Sequence, residues 1–332
     1  MSGGLVIDHF LHHGGRLTEA ARRFGGAAED WLDLSTGLNP APWPVPQALA
    51  PDWHALPDPA GLAVLEAAAA RHFGVDPALC CAVPGSEAAL RLLARILDLP
   101  GRALVPSYRS HVEAFAVSRP VRFGEVPAAG ETCVIANPGN PDGVLHAPEA
   151  LCGWADRIAG RGGWLIVDEA FGDCAPQASV AAAVRPEGRL IVLRSFGKFF
   201  GLAGVRLGFV LAPPPILAKL RAAMGSWPLH AGALVIGAAA YGDAAWIAAT
   251  RADLPGRAAA LDAVLARHGL VAEGASPLFR LVTGCPAAEL FERLARVRIL
   301  VRPFAEFPGW LRFGVPADPA ALARLDRALH NG

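Results

Sequence analysis

The sequence predicts an α/β protein in which a mostly parallel sheet lies between helices, followed by a smaller α+β domain. Two observations lead to this prediction. Continuous apolar runs alternate with helical patterns, which is typical of parallel strands that are buried on both faces. Three prolines at Pro213–Pro215 end this alternation, and longer helices with short strand candidates follow. The strands predicted before the prolines are Ala103–Val105, Val121–Val126, Thr132–Ala136, Trp164–Val167, Leu190–Leu193 and Leu207–Leu211.

We therefore expect a large domain over 47–214 and a second domain formed by 1–46 and 215–332. Three prolines between Pro42 and Pro46 favour an extended arm or hinge at the first boundary. Helical patterns run over Leu17–Phe24, Gly61–Phe73, Ser86–Asp98, Pro148–Ala159, Ile216–Met224, Ala231–Thr250, Arg257–His268, Ala287–Arg296 and Pro319–His330. Further strands are predicted at Leu278–Val282, Ile299–Val301 and Trp310–Phe313, after a short one near Trp31.

The composition limits the classes of function. The chain has 332 residues, 53% of them hydrophobic, and a formal net charge of zero, so we expect neither a nucleic-acid nor a membrane partner. Its six cysteines form no CxxC pair, and no histidine cluster accompanies them, so no metal site is expected. Without a secretory leader, we interpret them as reduced thiols of a cytoplasmic protein. The apolar stretch Ala231–Ile247 is shorter than the ~20 residues of a spanning helix, which favours a buried helix.

The segment from Ser195 to Gly208 carries the most specific signal. It contains Lys198, one of only two lysines in a chain that otherwise uses arginine. Lysine can lose its proton and form a Schiff base, whereas arginine cannot easily become an amine nucleophile. Ser195 lies three residues before the lysine and Arg206 eight residues after it, so both could reach one phosphate. A solvated lysine in a glycine turn is the alternative, but the spacing and the scarcity of lysine favour an active amine.

Two further segments are consistent with a binding site. Gly85, Ser86 and Glu87 open a helix, and a helix N-terminus with free N–H groups binds anions; an ordinary helix capped by Ser86 explains them equally well. Asp168 ends a buried strand without a basic neighbour in sequence, and an unpaired carboxylate there would be costly. A cationic ligand would resolve this. Asn137, Asp168 and Ser195 each follow a strand, so we expect them at one edge of the sheet.

The Ser195–Gly208 segment resembles the lysine segment of the class I and II aminotransferase superfamily, the fold type I enzymes that depend on pyridoxal 5'-phosphate (PLP). The resemblance implies a large domain with a mostly parallel, seven-stranded sheet. It also implies that Lys198 carries the cofactor covalently and that Asp168 keeps its pyridine nitrogen protonated. The other implied cofactor-binding residues are Gly85, Ser86, Glu87, Tyr108, Asn140, Phe171, Ser195 and Arg206.

Each of these positions has an implied role. Ser195 and Arg206 bind the cofactor phosphate, Tyr108 stacks on the pyridine ring, and Asn140 donates to the phenolic oxygen. Two positions depart from the pattern. Phe171 stands where the family often has a tyrosine that donates to the same oxygen, and Leu56 stands where it often has an aromatic residue that reaches the partner subunit. Both departures count against ordinary transamination.

Four segments resemble the threonine-phosphate decarboxylase branch of cobalamin biosynthesis: His13–Gly15, Leu34–Pro40, Leu56–Pro59 and Asp168–Phe171. This resemblance implies decarboxylation of L-threonine O-3-phosphate to (R)-1-amino-2-propanol phosphate by a homodimer. The alternatives are a histidinol-phosphate-type aminotransferase and a non-catalytic partner in the same pathway. The implied substrate residues are Arg312, which matches the family's carboxylate-binding arginine, and His13, Gly14, Gly15, Gly37, Asn140 and Arg302, with Arg16 as a further phosphate candidate. The division of these arginines between phosphate and carboxylate stays open.

Overall fold

A computed structural model describes residues 6–330. The helices are α1 Leu17–Phe24, α2 Pro59–Phe73, α3 Ser86–Leu97, α4 Ser110–Glu113, α5 Pro148–Ala159, α6 Phe196–Phe199, α7 Pro214–Met224, α8 Ala231–Gly242, α9 Ala244–Arg267, α10 Ala287–Arg296 and α11 Pro319–His330. The strands are β1 Leu32–Asp33, β2 Cys80–Val83, β3 Gly101–Leu104, β4 Ser118–Val121, β5 Thr132–Ala136, β6 Trp164–Glu169, β7 Leu190–Ser195, β8 Gly208–Leu211, β9 Ala272–Glu273, β10 Phe279–Val282, β11 Ile299–Leu300, β12 Arg302–Pro303 and β13 Leu311–Gly314.

The chain divides into two compact units. Among the described residues, the sheet unit comprises 42–140 and 144–248, and the terminal unit comprises 6–41, 141–143 and 249–330. The sheet unit thus holds α7 and α8, which lie after the boundary predicted at residue 214. The expected domain bounds, 47–214 against 1–46 and 215–332, stay a prediction.

The sheet unit contains one seven-stranded sheet with the order β2-β8-β7-β6-β5-β3-β4. Pairing is parallel from β7 through β6, β5 and β3 to β4, and β8 runs antiparallel to both β2 and β7. The mostly parallel, seven-stranded sheet is therefore confirmed. Continuous apolar runs were the right signal because β6 and β7 are buried along almost their whole length.

One face of this sheet packs against α3 and α7. Leu90 and Leu93 of α3 and Leu217 of α7 belong to one buried cluster with Ile166 and Ile191 of the central strands. The neighbouring residues Leu165, Val167 and Val192 are also fully buried, and alternate side chains of a strand point to opposite faces. Both faces of the central strands are therefore covered, which leaves the strand ends as the places where polar side chains can gather.

Several predicted elements need correction. β2 was missed because Cys80–Val83 is a run of small residues directly before a turn. The strand expected at Val121–Val126 lies earlier, at Ser118–Val121. The helix expected over Ala231–Thr250 breaks at Asp243, and its second half joins the predicted Arg257–His268 helix as α9.

The break has a local cause at Asp243. Its Oδ1 accepts a hydrogen bond from the backbone N–H of Trp246 at 3.0 Å, and its Oδ2 accepts one from the Trp43 indole at 3.0 Å. The aspartate therefore caps the start of α9 while being tied to a second segment of the sheet unit.

The terminal unit contains a four-stranded antiparallel sheet with the order β12-β13-β10-β9, and β1 pairs in parallel with β11. Its core includes Phe10, Phe291 and Phe313, packed with Leu261 and Leu265 of α9. Within residues 6–330, no single helix is both long and apolar enough to cross a membrane; only α8 and α9 taken together, with a sharp bend between them, reach that length and hydropathy.

Candidate active site

Three neighbouring strand ends bring polar residues to one edge of the seven-stranded sheet. β5, β6 and β7 are parallel and adjacent, so their carboxyl ends meet at the same edge. Ala136 pairs with Asp168, and the backbone N–H of Asn137 donates to the Asp168 carbonyl at 3.0 Å. Ser195 is the last residue of β7. The predicted gathering of Asn137, Asp168 and Ser195 is therefore present.

Asp168 has a partner that sequence reasoning missed. Its Oδ2 lies 3.0 Å from Nε2 of His111, and its Oδ1 accepts a hydrogen bond from the Ala170 N–H at 3.0 Å. His111 belongs to α4 and is completely buried, while Asp168 is 8% exposed. A cationic ligand was the partner expected from sequence, and the structure adds a protein partner, because this imidazole comes from 57 residues away in the chain. The carboxylate is held from two sides and retains acceptor capacity.

Tyr108 lies beside this pair. Its ring is 5.8 Å from the His111 ring and perpendicular to it. Burial raises the pKa of Tyr108, and the carboxylates of Glu87 and Asp168 act in the same direction. The half-buried ring is thus close to Asp168, where the resemblance expects an aromatic stacking partner.

Lys198 follows the end of β7 on the short helix α6. Its neighbours Phe196, Phe199 and Phe200 are fully buried and anchor the segment. The lysine itself is half-buried, and Nζ lies 5.8 Å from the centre of the Phe171 ring. Phe171 follows Asp168 by three residues at the end of β6, so the amine is directed toward the segment that carries the aspartate.

A second group of residues surrounds the N-terminus of α3. A Cβ added at Gly208 would lie 2.7 Å from the Ser86 nitrogen, and one added at Gly85 would lie 3.0 Å from Nη2 of Arg206. Gly208 is also the register partner of Ser195. The absence of side chains at both glycines therefore lets Ser86, Ser195 and Arg206 come together beside the start of the helix.

Ser86 is not the N-cap of α3, which corrects the prediction. Gly85 occupies the cap position with φ of 93°, a left-handed conformation that favours glycine, and Ser86 is the first helical residue. The first N–H groups of a helix lack partners inside the helix, so those of Ser86 and Glu87 suit an anion. The Glu87 carboxylate instead accepts a hydrogen bond from Arg91 Nε at 2.8 Å. Only the backbone of Glu87 fits an anion site.

The turn after β5 contains two asparagines with different surroundings. Asn137 is buried and structural: its Nδ2 donates to the Ala178 carbonyl at 3.0 Å, and its Oδ1 accepts from the His146 N–H at 2.8 Å. The turn closes through a hydrogen bond from the Gly139 N–H to the Val144 carbonyl at 2.7 Å. Asn140, the residue matched to the cofactor, is half-buried at the end of this turn.

In the terminal unit, the turn at Gly14 and Gly15 is docked onto Ser35. The Gly15 N–H donates to Ser35 Oγ at 2.7 Å, and that hydroxyl donates to Asp33 Oδ1 at 2.6 Å. A Cβ at Gly14 would lie 2.3 Å from the Ser35 carbonyl oxygen, which explains why glycine is needed there. His13 is exposed next to this turn, and Gly37 is buried.

Arg312 is the buried cation of this region. It is 7% exposed, lies 4.8 Å from the centre of the Phe279 ring, and donates through Nη2 to the Ser35 carbonyl at 3.1 Å. Burial, together with the positive charge of Arg302, lowers the pKa of Arg312 to about 9. A bound anion would relieve this cost, so the site suits a carboxylate.

The other candidate arginines of the terminal unit bind backbone carbonyls. Arg302 donates to the carbonyls of Phe10 and His12, and Arg16 donates to the carbonyl of His9. These bonds fix the backbone that leads into the Gly14–Gly15 turn. The guanidinium groups therefore shape the segment that precedes the turn, a role that sequence spacing did not indicate.

The groups at the sheet edge match the chemistry of PLP. A serine, an arginine and a helix N-terminus with no side chain at Gly85 or Gly208 fit a phosphate monoester. A carboxylate held by His111 fits a protonated ring nitrogen, and the Lys198 amine fits an aldehyde.

Comparison with known proteins agrees with this chemistry. Residues 29–329 match the family model for aminotransferase class I and II. A threonine-phosphate decarboxylase of Sinorhizobium sp is 43% identical over 96% of this chain and 97% of its own length. One from Pseudomonas aeruginosa is 42% identical over 96% and 97%. A histidinol-phosphate aminotransferase 2 of Ralstonia nicotianae is 31% identical over 94% and 92%.

Solved structures agree on the fold. A putative histidinol-phosphate aminotransferase from Erwinia carotovora atroseptica superposes with a TM-score of 0.80, at 18% identity over 91% of this chain and 96% of its own. The L-threonine-O-3-phosphate decarboxylase of Porphyromonas gingivalis gives 0.76, at 18% identity over 90% and 98%. Taken with the sequence relatives, these findings show that the chain belongs to the class I and II aminotransferase family, with fold type I and PLP as its cofactor, and within it to the threonine-phosphate decarboxylase branch.

Proposed function

We propose that this chain decarboxylates L-threonine O-3-phosphate to (R)-1-amino-2-propanol phosphate. One observation carries the choice of reaction: two threonine-phosphate decarboxylases are 43% and 42% identical over nearly the full chain, against 31% for a histidinol-phosphate aminotransferase. Phe171, which lacks the hydroxyl common in the aminotransferases, is consistent with the same choice. The reaction releases CO₂, and a proton takes the place of the carboxylate at Cα.

The residues of the sheet unit would hold the cofactor. When bound, PLP supplies an electron sink that accepts the electron pair released as the Cα–carboxylate bond breaks. The Lys198 amine would hold the cofactor covalently, and Tyr108 and Asn140 would contact its ring. Ser195, Arg206, Gly85 and the N–H groups of Ser86 and Glu87 bind the phosphate.

Protons are held or moved at two places. Asp168, fixed by His111 and the Ala170 N–H, keeps the ring nitrogen protonated. The proton that replaces the carboxylate at Cα would come from Lys198 Nζ or from water. Phe171 supplies an apolar ring next to Nζ without adding a competing donor.

The residues of the terminal unit would hold the substrate. Arg312 would bind the α-carboxylate with its planar fork, and the Gly14–Gly15 turn, His13 and Gly37 would surround the phosphate. Arg16 and Arg302 would lie beside it and anchor the backbone that leads into the turn. The way Arg312 holds the carboxylate would decide which bond at Cα breaks, and so whether decarboxylation or transamination follows.

The wider setting follows from the same resemblance. We place the activity in cobalamin biosynthesis, in the cytoplasm, and in a homodimer. Leu56, which stands at the position often occupied by an aromatic residue that reaches the partner subunit, is 66% exposed and adjoins an apolar pocket lined by Pro57, Pro59, Trp227 and Leu229. Sedimentation of the purified chain at micromolar concentration tests the dimer, since a monomer there contradicts it.

The reaction is tested by incubating the chain with PLP and L-threonine O-3-phosphate and identifying the product by mass. We expect aminopropanol phosphate and one CO₂ per substrate, with no keto acid. Histidinol phosphate and 2-oxoglutarate form the second arm. Glutamate formation there, without CO₂ release in the first arm, would favour the aminotransferase. No turnover in either arm, with PLP bound, would favour the non-catalytic alternative.

A further inference from the structure

A buried ion cluster lies directly behind the strand ends that carry the cofactor residues. Arg194 is 3% exposed, and its Nη1 lies 2.6 Å from Oε2 of Glu169. Its Nη2 donates to Oδ1 of Asp173. Nε2 of His72 lies 2.9 Å from the same Asp173 oxygen. The cluster thus joins β7, β6 and the segment after β6, with α2 at its far side.

On each of two strands, a residue of this cluster is the sequence neighbour of a proposed cofactor residue. Glu169 and Arg194 are register partners on β6 and β7, next to Asp168 and Ser195. Because successive side chains of a strand point to opposite faces, the ion pair lies on the face away from Asp168 and Ser195. Glu169 and Arg194 are bonded through the backbone to Asp168 and Ser195, so a shift of the ion pair would also displace the backbone of these two residues.

The same cluster fixes the segment 170–180. Glu169 Oε1 accepts from the Val180 N–H at 2.6 Å, and its Oε2 accepts from the Ser179 hydroxyl at 2.6 Å. A Cβ at Gly172 would lie 2.7 Å from Arg194 Nη1, so this part of the segment packs closely against the guanidinium. Phe171, whose ring centre lies 5.8 Å from Lys198 Nζ, stands in sequence between Glu169 and Asp173, the two carboxylates that bind Arg194.

The buried charge of Arg194 points to a role other than stabilising the fold. Burial alone would lower the pKa of Arg194, but the neighbouring Asp173 and Glu169 carboxylates outweigh it and raise the pKa, so the guanidinium stays charged. Replacing a buried ion pair by apolar side chains is often neutral or stabilising, so such a cluster is weak evidence of a stabilising role. Its value here is geometric: a planar fork joins two carboxylates at fixed positions.

We propose that Arg194, held between Glu169 and Asp173, is a positioning residue for the cofactor. It aligns the ends of β6 and β7 and the segment 170–180, so that Asp168, Ser195 and Phe171 keep the geometry that PLP requires. The proposal rests on the cofactor residues of the proposed function, and is independent of which amino acid is the substrate.

The test compares Arg194→Lys with Arg102→Lys in the full chain. Arg102 forms an ion pair with Glu131 at 2.8 Å near the amino ends of β3 and β5, at the other edge of the same sheet. Lysine keeps the charge but cannot join two carboxylates with a fork. The measurements are the dissociation constant of PLP for each apoprotein, by absorbance titration, and the thermal midpoint with and without PLP.

We expect Arg194→Lys to weaken PLP binding by about tenfold, which is the effect of removing a residue that orients ligand-binding groups at other sites. The rise of the midpoint on adding PLP should shrink accordingly. Arg102→Lys should lower both midpoints equally and leave the PLP dissociation constant unchanged. Glu169→Gln, which keeps the shape of the side chain, should weaken PLP binding in the same direction and serves as the deciding variant if Arg194→Lys fails to fold.

Two results would overturn the proposal, and they are distinguishable. PLP binding as tight as wild type in both Arg194→Lys and Glu169→Gln would leave the cluster a purely structural ion pair. A wild-type chain that binds no PLP would overturn the cofactor residues themselves, and this proposal with them.

Discussion

The cofactor edge of the sheet unit and the Arg312 region of the terminal unit reach their polar character in different ways. At the cofactor edge, Asp168 and Ser195 lie at the carboxyl ends of β6 and β7. These strands are adjacent and parallel, so the strand pairing brings the two residues to the same edge of the sheet. Around Arg312, the position of each cation depends on hydrogen bonds to turn backbone, as at Ser35 and Phe10. Strand ends are set by long apolar runs, whereas turns are set by single residues. Substitutions at the cofactor edge therefore test the proposed reaction chemistry, and substitutions around Arg312 test the choice of substrate.

The largest effect is expected at the amine of the cofactor edge. Lys198→Ala should lower decarboxylation by at least ~10³-fold, because it removes the amine that would attach the cofactor covalently. Lys219, the other lysine, is exposed on α7 and provides the matched control. Lys219→Ala should keep full activity. Steady-state CO₂ release measures the activity of both variants, and circular dichroism should show that both keep the wild-type fold. An active Lys198→Ala variant would contradict the role of Lys198 in attaching the cofactor.

The carboxylate of the same edge should have the next largest effect. Asp168→Asn keeps the size of the side chain and loses its charge, so the ring nitrogen is no longer held protonated. We expect kcat to fall by about 10²–10³-fold, the scale of one preorganised electrostatic group. PLP affinity should change much less, which absorbance titration measures. Equal losses in kcat and in PLP binding would mean that Asp168 holds the cofactor without activating it.

In the terminal unit, Arg312→Lys should raise the KM for threonine phosphate and lower kcat/KM by about 10²-fold. Lysine retains a charge but loses the two parallel donors that fit a carboxylate. The wild-type and variant KM for substrate, with PLP saturating, are the quantities to compare. An unchanged KM would move the carboxylate site away from Arg312 and leave the Arg312 region without a role in binding.

A pH dependence gives a smaller effect at the same residue. Burial lowers the pKa of Arg312 to about 9, and a bound anion stabilises the charged form and so raises that pKa. Linkage then requires that substrate affinity be constant well below this pKa and weaken as the pH rises through it, toward tenfold per pH unit. The substrate amine titrates in the same range, so the ratio of the wild-type profile to that of Arg312→Gln isolates the arginine. A flat ratio contradicts the assignment.

The contrast also explains what sequence could predict. Runs such as Leu190–Leu193 identify buried strands, and the polar residue after each run marks the site edge, so Lys198, Asp168 and Ser195 could be proposed without a structure. His111 could not, because its contact with Asp168 joins two segments that the sheet brings together only when folded. The Asp243 break was hidden because alanine favours helix on both sides of it.

The candidate substrate residues show what sequence could not predict. The sequence indicated a cluster of arginines, but a guanidinium can bind a carbonyl or an anion, and only the fold shows that Arg302 and Arg16 donate to backbone. Likewise, Ser86 is a good N-cap by type, yet Gly85 occupies that position with a φ of 93°, and a Cβ there would lie only 3.0 Å from Nη2 of Arg206. Close backbone approaches of this kind leave no periodic pattern in a sequence.

The most direct measurement is to locate the cofactor on the chain. Borohydride reduction of the PLP-loaded protein fixes the cofactor to whichever amine holds it, and mass spectrometry of the digested protein identifies the peptide. The account predicts a single modified residue, Lys198, and none at Lys219. Cofactor on Lys219, or a chain that binds PLP with no modified lysine, would contradict it.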